Sequence, residues 1–185
     1  MYLKNRKTYF VLMFYHKVGF AFMVMMCLSV SGKAQQDLSY AVHANIIYRF
    51  TKYIEWPAVY NTGDFIIGII GNTPLYEELD EFVKSKAIGN RKISVRKMSA
   101  SAKKYNCHIL FIGDDAGKSL QKIVNITKGS PVLIVSEINA AASKGSCINF
   151  VVADERLKLE INKTNIESRD LNVASELLRL GTLVR

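Results

Sequence analysis

Apolar positions recur with helical spacing in the stretch "DLSYAVHANIIYRFTKYIEWP". Val42, Ile46, Phe50 and Ile54 fall at every fourth residue, and Ile47 and Tyr53 widen the stripe. This predicts an amphipathic helix of about four turns. Asp37 or Ser39 stands where a side chain could cap the start. Pro57 ends the helix, because the residue before a proline avoids helical geometry. Trp56, the single tryptophan of the chain, lies two residues past Ile54. That is about 200° around a helix, so Trp56 leaves the stripe unless the last turn unwinds. It is then either an anchor for the helix end or a partner-facing aromatic.

Farther on the pattern changes. "DFIIGIIGN" is a continuous apolar run rich in β-branched residues and reads as a strand buried on both faces. "GNTPLYEELDEFVKSK" then predicts a helix. Thr73 is suited to its N-cap, Pro74 to its first position, and Glu77 and Glu78 to the positive end of its dipole. Leu75, Leu79, Phe82 and Val83 make its buried stripe. "RKISVRKMS", "CHILFIG" and "VLIVSE" predict three more strands. "DDAGKSLQKIVNITKGSP" predicts a helix with Leu120, Ile123, Val124 and Ile126 inside, closed by Gly129 and Pro131. "CINFVVA" and "RLKLEIN" flank Asp154 and Glu155 and predict a hairpin whose second arm has one wet face. In "LNVASELLRLGTLVR", Val173, Leu177, Leu180 and Val184 fall on one helical stripe. Strands alternating with helices imply an α/β three-layer sandwich. Its central sheet is mainly parallel with about five to six strands, a late antiparallel hairpin, an amphipathic N-terminal helix and a C-terminal helix.

The first 34 residues stand apart. Lys4, Arg6, Lys7, His16 and Lys17 precede the uncharged run Val18–Val30, and small residues follow at Gly32 and Ala34. This predicts a secretory signal peptide, residues 1–34, cut after Ala34. The apolar run would span about 20 Å as a helix, short of a hydrocarbon core of about 30 Å. The leader holds five of the 25 Lys and Arg residues and none of the 16 acids, so residues 35–185 carry a net charge of +4 rather than +9. The basic balance is therefore weak evidence for nucleic acid, and export argues against it too. Residues 35–185 are expected to form a single domain. Its cysteines are Cys107 and Cys147. An exported protein permits a disulfide between them, and two buried free thiols are the alternative.

Candidate chemistry is sparse. His108 adjoins Cys107, but neighbouring strand residues point to opposite faces and do not grip one ion. No metal ligand set, phosphate loop or nucleophile elbow is present, so neither a cofactor nor catalysis is expected. Gly71, Asn72 and Thr73 fall between a strand and a helix, where open α/β sheets bind ligands. Asp114 and Asp115 take the equivalent place after "CHILFIG". These five are the ligand-binding candidates, and turn geometry with helix capping is the plainer account of them. From Lys84 to Lys104 there are eight lysines and arginines and no acid. Such a run serves either an acidic partner or a charged edge strand that resists aggregation.

Four blocks in order resemble the YfiR family of periplasmic regulators: "YRFTKYIEWP", "CHILFIG", "GSCINFVVADERLKLEIN" and "ASELLRLGTLV". "FIIGIIGNTPLYEEL" fits the first strand and helix of that family. The resemblance implies an exported α/β protein that is not an enzyme. Its partner would be the periplasmic part of an inner-membrane signalling protein, a diguanylate cyclase or a histidine kinase, which it binds and restrains, alone or as a homodimer. Tyr48, Tyr53 and Trp56 are the partner-facing candidates. A small-ligand sensor using the crevice near Gly71 and Asp115 is the alternative. YfiR carries more cysteines, so its redox control does not transfer directly.

Overall fold

The computed structural model describes residues 31–185. The signal peptide expected over residues 1–34 lies outside the described residues as far as residue 30. Tyr40–Arg185 forms one compact unit. Among the described residues no helix is long and apolar enough to cross a membrane.

The elements run α1 (Ser31–Tyr53), β1 (Ile54–Glu55), β2 (Phe65–Ile70), α2 (Leu75–Val83), β3 (Ala87–Ile88) and β4 (Arg91–Lys97). β5 (Ile109–Ile112), α3 (Leu120–Ile126), β6 (Leu133–Ser136), β7 (Ile148–Ala153) and β8 (Arg156–Ile161) follow. The chain closes with α4 (Lys163–Glu167), β9 (Asn172–Val173), α5 (Ser175–Leu178) and β10 (Thr182–Leu183). Eight strands make one sheet in the order β10-β8-β7-β6-β5-β2-β4-β3. Its five central strands, β4, β2, β5, β6 and β7, are mutually parallel, and β8 returns antiparallel to β7. Continuous apolar runs produce this arrangement, because a central parallel strand is covered on both faces. All four residues of β5 and of β6 are buried.

From β2 the chain steps outward to β4 through α2, then returns to β5 and steps the other way to β6 through α3. Right-handed crossovers put α2 and α3 on opposite faces of the sheet, giving the three layers. α1 shares a face with α2, since the rings of Tyr48 and Phe82 meet at 5.8 Å.

The phase of α1 differs from the predicted stripe. His43, Ala44, Ile47 and Phe50 are buried, whereas Val42 is 44 % exposed and Ile46 only half-buried. An every-fourth-residue series drifts by about 40° per step on a helix of 3.6 residues per turn, so Val42 and Ile54 do not share a face. Asp37 and Ser39 lie within α1 rather than at its start. The helix stops at Tyr53. Ile54 and Glu55 pair instead with Val173 and Asn172 in a separate two-stranded sheet. The C-terminal helix is one turn, Ser175–Leu178, between two short strands. The second of these, β10, lies so close to β8 that a Cβ on Gly181 would stand 2.8 Å from the Leu159 carbonyl.

Cys107 and Cys147 are free and buried, a correction to the disulfide alternative. β6 separates them: the Leu133 amide bonds the carbonyl of His108, next to Cys107, and the Cys147 amide bonds Ile134 on the other edge. Two strand spacings are about 10 Å, beyond the roughly 7 Å limit for a bridge. Burial pushes the Cys107 thiol up to about 12 and raises that of Cys147 as well. Both thiols should therefore resist a thiol reagent in the native protein and react together in denaturant. A reductant-sensitive band shift that Cys107→Ser abolishes would contradict this.

Candidate functional site

Three places on the domain are built from the residues singled out above. The first is the amino edge of the parallel sheet. Pro57 stops the helix, β1 turns the chain, and Trp56 is left half-buried against the starts of β2 and β5. Its indole Nε1 donates to the His108 carbonyl at 3.3 Å, and its ring meets Phe65 edge-on at 5.0 Å. The Phe65 ring stacks on His108 at 4.4 Å. The Ile66 amide donates to His108 Nδ1 at 3.0 Å, which leaves the ring proton on Nε2 to donate to the Tyr60 carbonyl, also at 3.0 Å. Arg91 stands beside that nitrogen, donates to the carbonyls of Gly63 and Asp64, and covers Phe65 at 5.5 Å. Burial, helped by the Arg91 charge, lowers the His108 pKa, so the imidazole is a neutral structural link. Trp56 is thus a helix-end anchor with one edge on a small recess that Thr51, Asn61 and Ile88 also line.

The second place is the opposite, carboxyl edge. β2 and β5 are neighbours whose connections leave in opposite directions, the topological switch point where open α/β sheets bind ligands. All five ligand-binding candidates belong to the loops that leave β2 and β5 here. The Asn72 amide donates to Asp115 Oδ2 at 2.9 Å. Gly71 has φ 108°, and a Cβ there would collide with the Asp115 carboxylate. The side chain of Asp115 therefore takes the amide that a bound anion would take. Thr73 Oγ1 accepts the Leu75 amide at 3.3 Å, and Pro74 holds the N-cap position of α2, one residue later than the sequence places it. Two residues that sequence reasoning passed over complete the edge. Glu137, just past β6, accepts the Tyr40 hydroxyl at 3.3 Å. Burial raises the Glu137 pKa, and the carboxylates of Asp114 and Asp115 add to the rise. Burial also raises the Tyr40 pKa, against the opposing hydrogen bond to Thr73. Among the described residues no three His, Cys, Asp or Glu side chains are grouped to hold a metal. This edge repels anions and is filled by its own carboxylate.

The third place is the outer face of α1. Two grooves flank the ridge formed by Asn45, Arg49 and Tyr53. On one side Val42, Ile46, Leu157, Leu159 and Leu180 line an apolar groove of about 470 Å³ between α1, β8 and the C-terminal segment. On the other, Tyr48, Lys52, Phe82 and Lys86 line a groove of about 390 Å³ between α1 and α2. Two partner-facing candidates, Tyr48 and Tyr53, belong to this surface, and Trp56 does not. The basic run from Lys84 to Lys104 is mostly accounted for elsewhere. Lys84 pairs with Glu81, Lys97 with Glu77, and Arg91 serves the loop before β2. Lys92 and Arg96 lie on β4, whose outer edge β3 covers only at Arg91 and Lys92. Lys86 alone of that run reaches the α1 face.

The family model DUF4154, described as YfiR/HmsC-like, matches residues 40–182. The chain belongs to the YfiR/HmsC-like family. No curated protein matches it. The matched span coincides nearly with the compact unit that begins at Tyr40.

Two outcomes follow from this geometry. Trp56→Ala should cost about 3 kcal/mol in urea unfolding, since it removes a large ring and a hydrogen bond. Trp56→Phe should cost about 1 kcal/mol, and an Ala variant as stable as the wild type would refute the anchor. For Glu137, a raised carboxyl pKa means stability that is full below the ordinary value of 4.5 and is lost as pH rises through the folded-state value. Glu137→Gln should accordingly raise Tm at pH 7 by about 2 °C or more and leave it unchanged at pH 4. The opposite ordering would refute the assignment.

Proposed function

We propose that this protein is an exported, non-catalytic regulator that binds the periplasmic portion of an inner-membrane signalling protein and restrains it. The restrained output is cyclic di-GMP synthesis or phosphotransfer by a histidine kinase. The observation that carries the reading is the YfiR/HmsC-like match across 40–182, a family of periplasmic regulators. The α1 face supports it, because a helix that exposes Val42 and carries half-buried Ile46 at its flank beside Leu180 offers the apolar area a protein partner needs. The leader-like residues 1–34 support export. Self-association to a homodimer is compatible with this role.

A small-ligand sensor is the second reading. Its support is the placement of Gly71, Asn72, Thr73, Asp114 and Asp115 at the switch point. The acidic lining there favours a cationic or neutral polar ligand, admitted when Asp115 leaves the Asn72 amide.

The test begins with the chain from Gln35, tagged and used to capture proteins from detergent-solubilised inner membrane. The expected result is a protein with a periplasmic segment and a cyclase or kinase output, whose purified activity falls when the chain is added. An output unchanged at saturating concentration would overturn the regulatory reading. A thermal shift with a cationic metabolite, abolished in Asp115→Asn, would favour the sensor instead.

A further inference from the structure

We infer that the outer face of α1 docks an acidic amphipathic segment of the partner protein. The segment seats its apolar side chains against Val42, Ile46, Leu157 and Leu180, and its carboxylates meet Arg49, Lys52 and Lys86. This rests on the reading of the protein as a partner-binding module and adds where the partner sits and what chemistry it presents.

Asn45, Arg49 and Tyr53 line both grooves, so the apolar and the cationic halves are one continuous surface. The apolar half is unusual for a surface helix, because α1 buries Ile47 and Phe50 against the sheet, carries half-buried Ile46 at the flank of that face and exposes Val42 beyond it. Leu180 beside them is 61 % exposed. In the cationic half no acidic residue lines the groove. Among the described residues Arg49, Lys52 and Lys86 have no carboxylate at ion-pair distance, a state they share with other surface cations such as Lys92 and Lys122, but these three line a surface continuous with an apolar groove. The three cations are held in place without being neutralised. Arg49 Nε donates to Asn45 Oδ1 at 3.0 Å, Lys52 lies over Tyr48 at 5.7 Å and Lys86 over Phe82 at 5.4 Å. Aromatic faces position an ammonium and leave its charge for a further partner.

The alternatives fit less well. A two-fold contact between copies of this face would bring the same cations together about the axis, a like-charge arrangement. A lipid surface would match the cations but leave a concave apolar groove unfilled. An extended or helical segment with acidic and apolar sides satisfies both halves, with the charges setting association rate and salt dependence.

The experiment places a photo-crosslinking amino acid at Val42, at Arg49 or, as a control on α3, at Lys122, in the full chain expressed in the periplasm. Cross-linked peptides are identified by mass spectrometry. Val42 and Arg49 should capture one acidic segment of a membrane signalling protein with apolar residues at helical or alternating spacing, and Lys122 should not. The synthetic form of that peptide should then bind the wild type at least about tenfold more tightly than R49E/K52E at low salt. The gap should close as salt rises. Cross-links from Val42 and Arg49 to a second copy or to lipid would overturn the inference. So would capture of the signalling protein from Lys122 alone, which would leave the regulatory role standing. Failure to capture any signalling protein from all three positions would overturn both.

Discussion

Everything on this domain is arranged by the way α1 is fastened across the central sheet. Near the start of the compact unit Tyr40 donates to Glu137 at the carboxyl edge, and just past the helix Trp56 donates to the His108 carbonyl at the amino edge. The helix therefore runs antiparallel to the five parallel strands, spanning them from edge to edge. Between the clamps Phe50 and His43 pack on Phe150, at ring separations of 6.3 and 4.4 Å. Two hydrogen bonds of about 1 kcal/mol each do not supply the bulk of the stability, which comes from that apolar contact. The buried side chains His43, Ala44, Ile47 and Phe50 set the rotation of the helix about its own axis, and the two bonds hold its ends. That rotation leaves Val42 and Arg49 exposed and Ile46 at the flank of the buried face.

The same fastening explains the unequal roles of the two sheet edges. At the carboxyl edge the fold offers the usual α/β ligand crevice, but Asp115 closes on the Asn72 amide and Glu137 is committed to Tyr40. At the amino edge Arg91, His108 and Trp56 spend their polar atoms on backbone carbonyls and on each other. Both edges are thus devoted to holding helix and loops in place. On the outer face of α1 exposed apolar surface and unpaired charge lie side by side, which is what the proposed contact role uses.

β2, β5 and β6 were legible as largely uninterrupted apolar runs, and the hairpin because Leu157, Leu159 and Ile161 alternate with polar residues, whereas the two-residue strands β1, β3, β9 and β10 are too short to leave a pattern. The start of α2 at Thr73 and Pro74, to within one residue, and the two candidate loops at neighbouring strand ends were legible for the same local reasons. The phase of α1 was not. Its inward face is set partly by His43 and Ala44, which a hydropathy pattern undervalues, and this hid the exposed Val42 and the flanking Ile46. The C-terminal segment misled because its helical periodicity is overridden by two distant pairings, Val173 with Ile54 and Leu183 with Ile161. The clamps were out of reach, since Tyr40 meets Glu137 across 97 residues and Trp56 meets His108 across 52. No local spacing encodes such partners.

The central claim is that α1 is fixed in rotation by its buried side chains and held at its two ends, so that its outer face is preformed. Native-state hydrogen exchange on the backbone amides of Ile47–Tyr53 tests it most directly. Those amides should exchange only through global unfolding, with the same free energy and denaturant dependence as the amides of β5 and β6. Trp56→Phe combined with Tyr40→Phe should drop them into a separate, lower-energy opening. If in the wild type they already exchange well below the global value, the helix is a loosely held element, and the account of a preformed face fails.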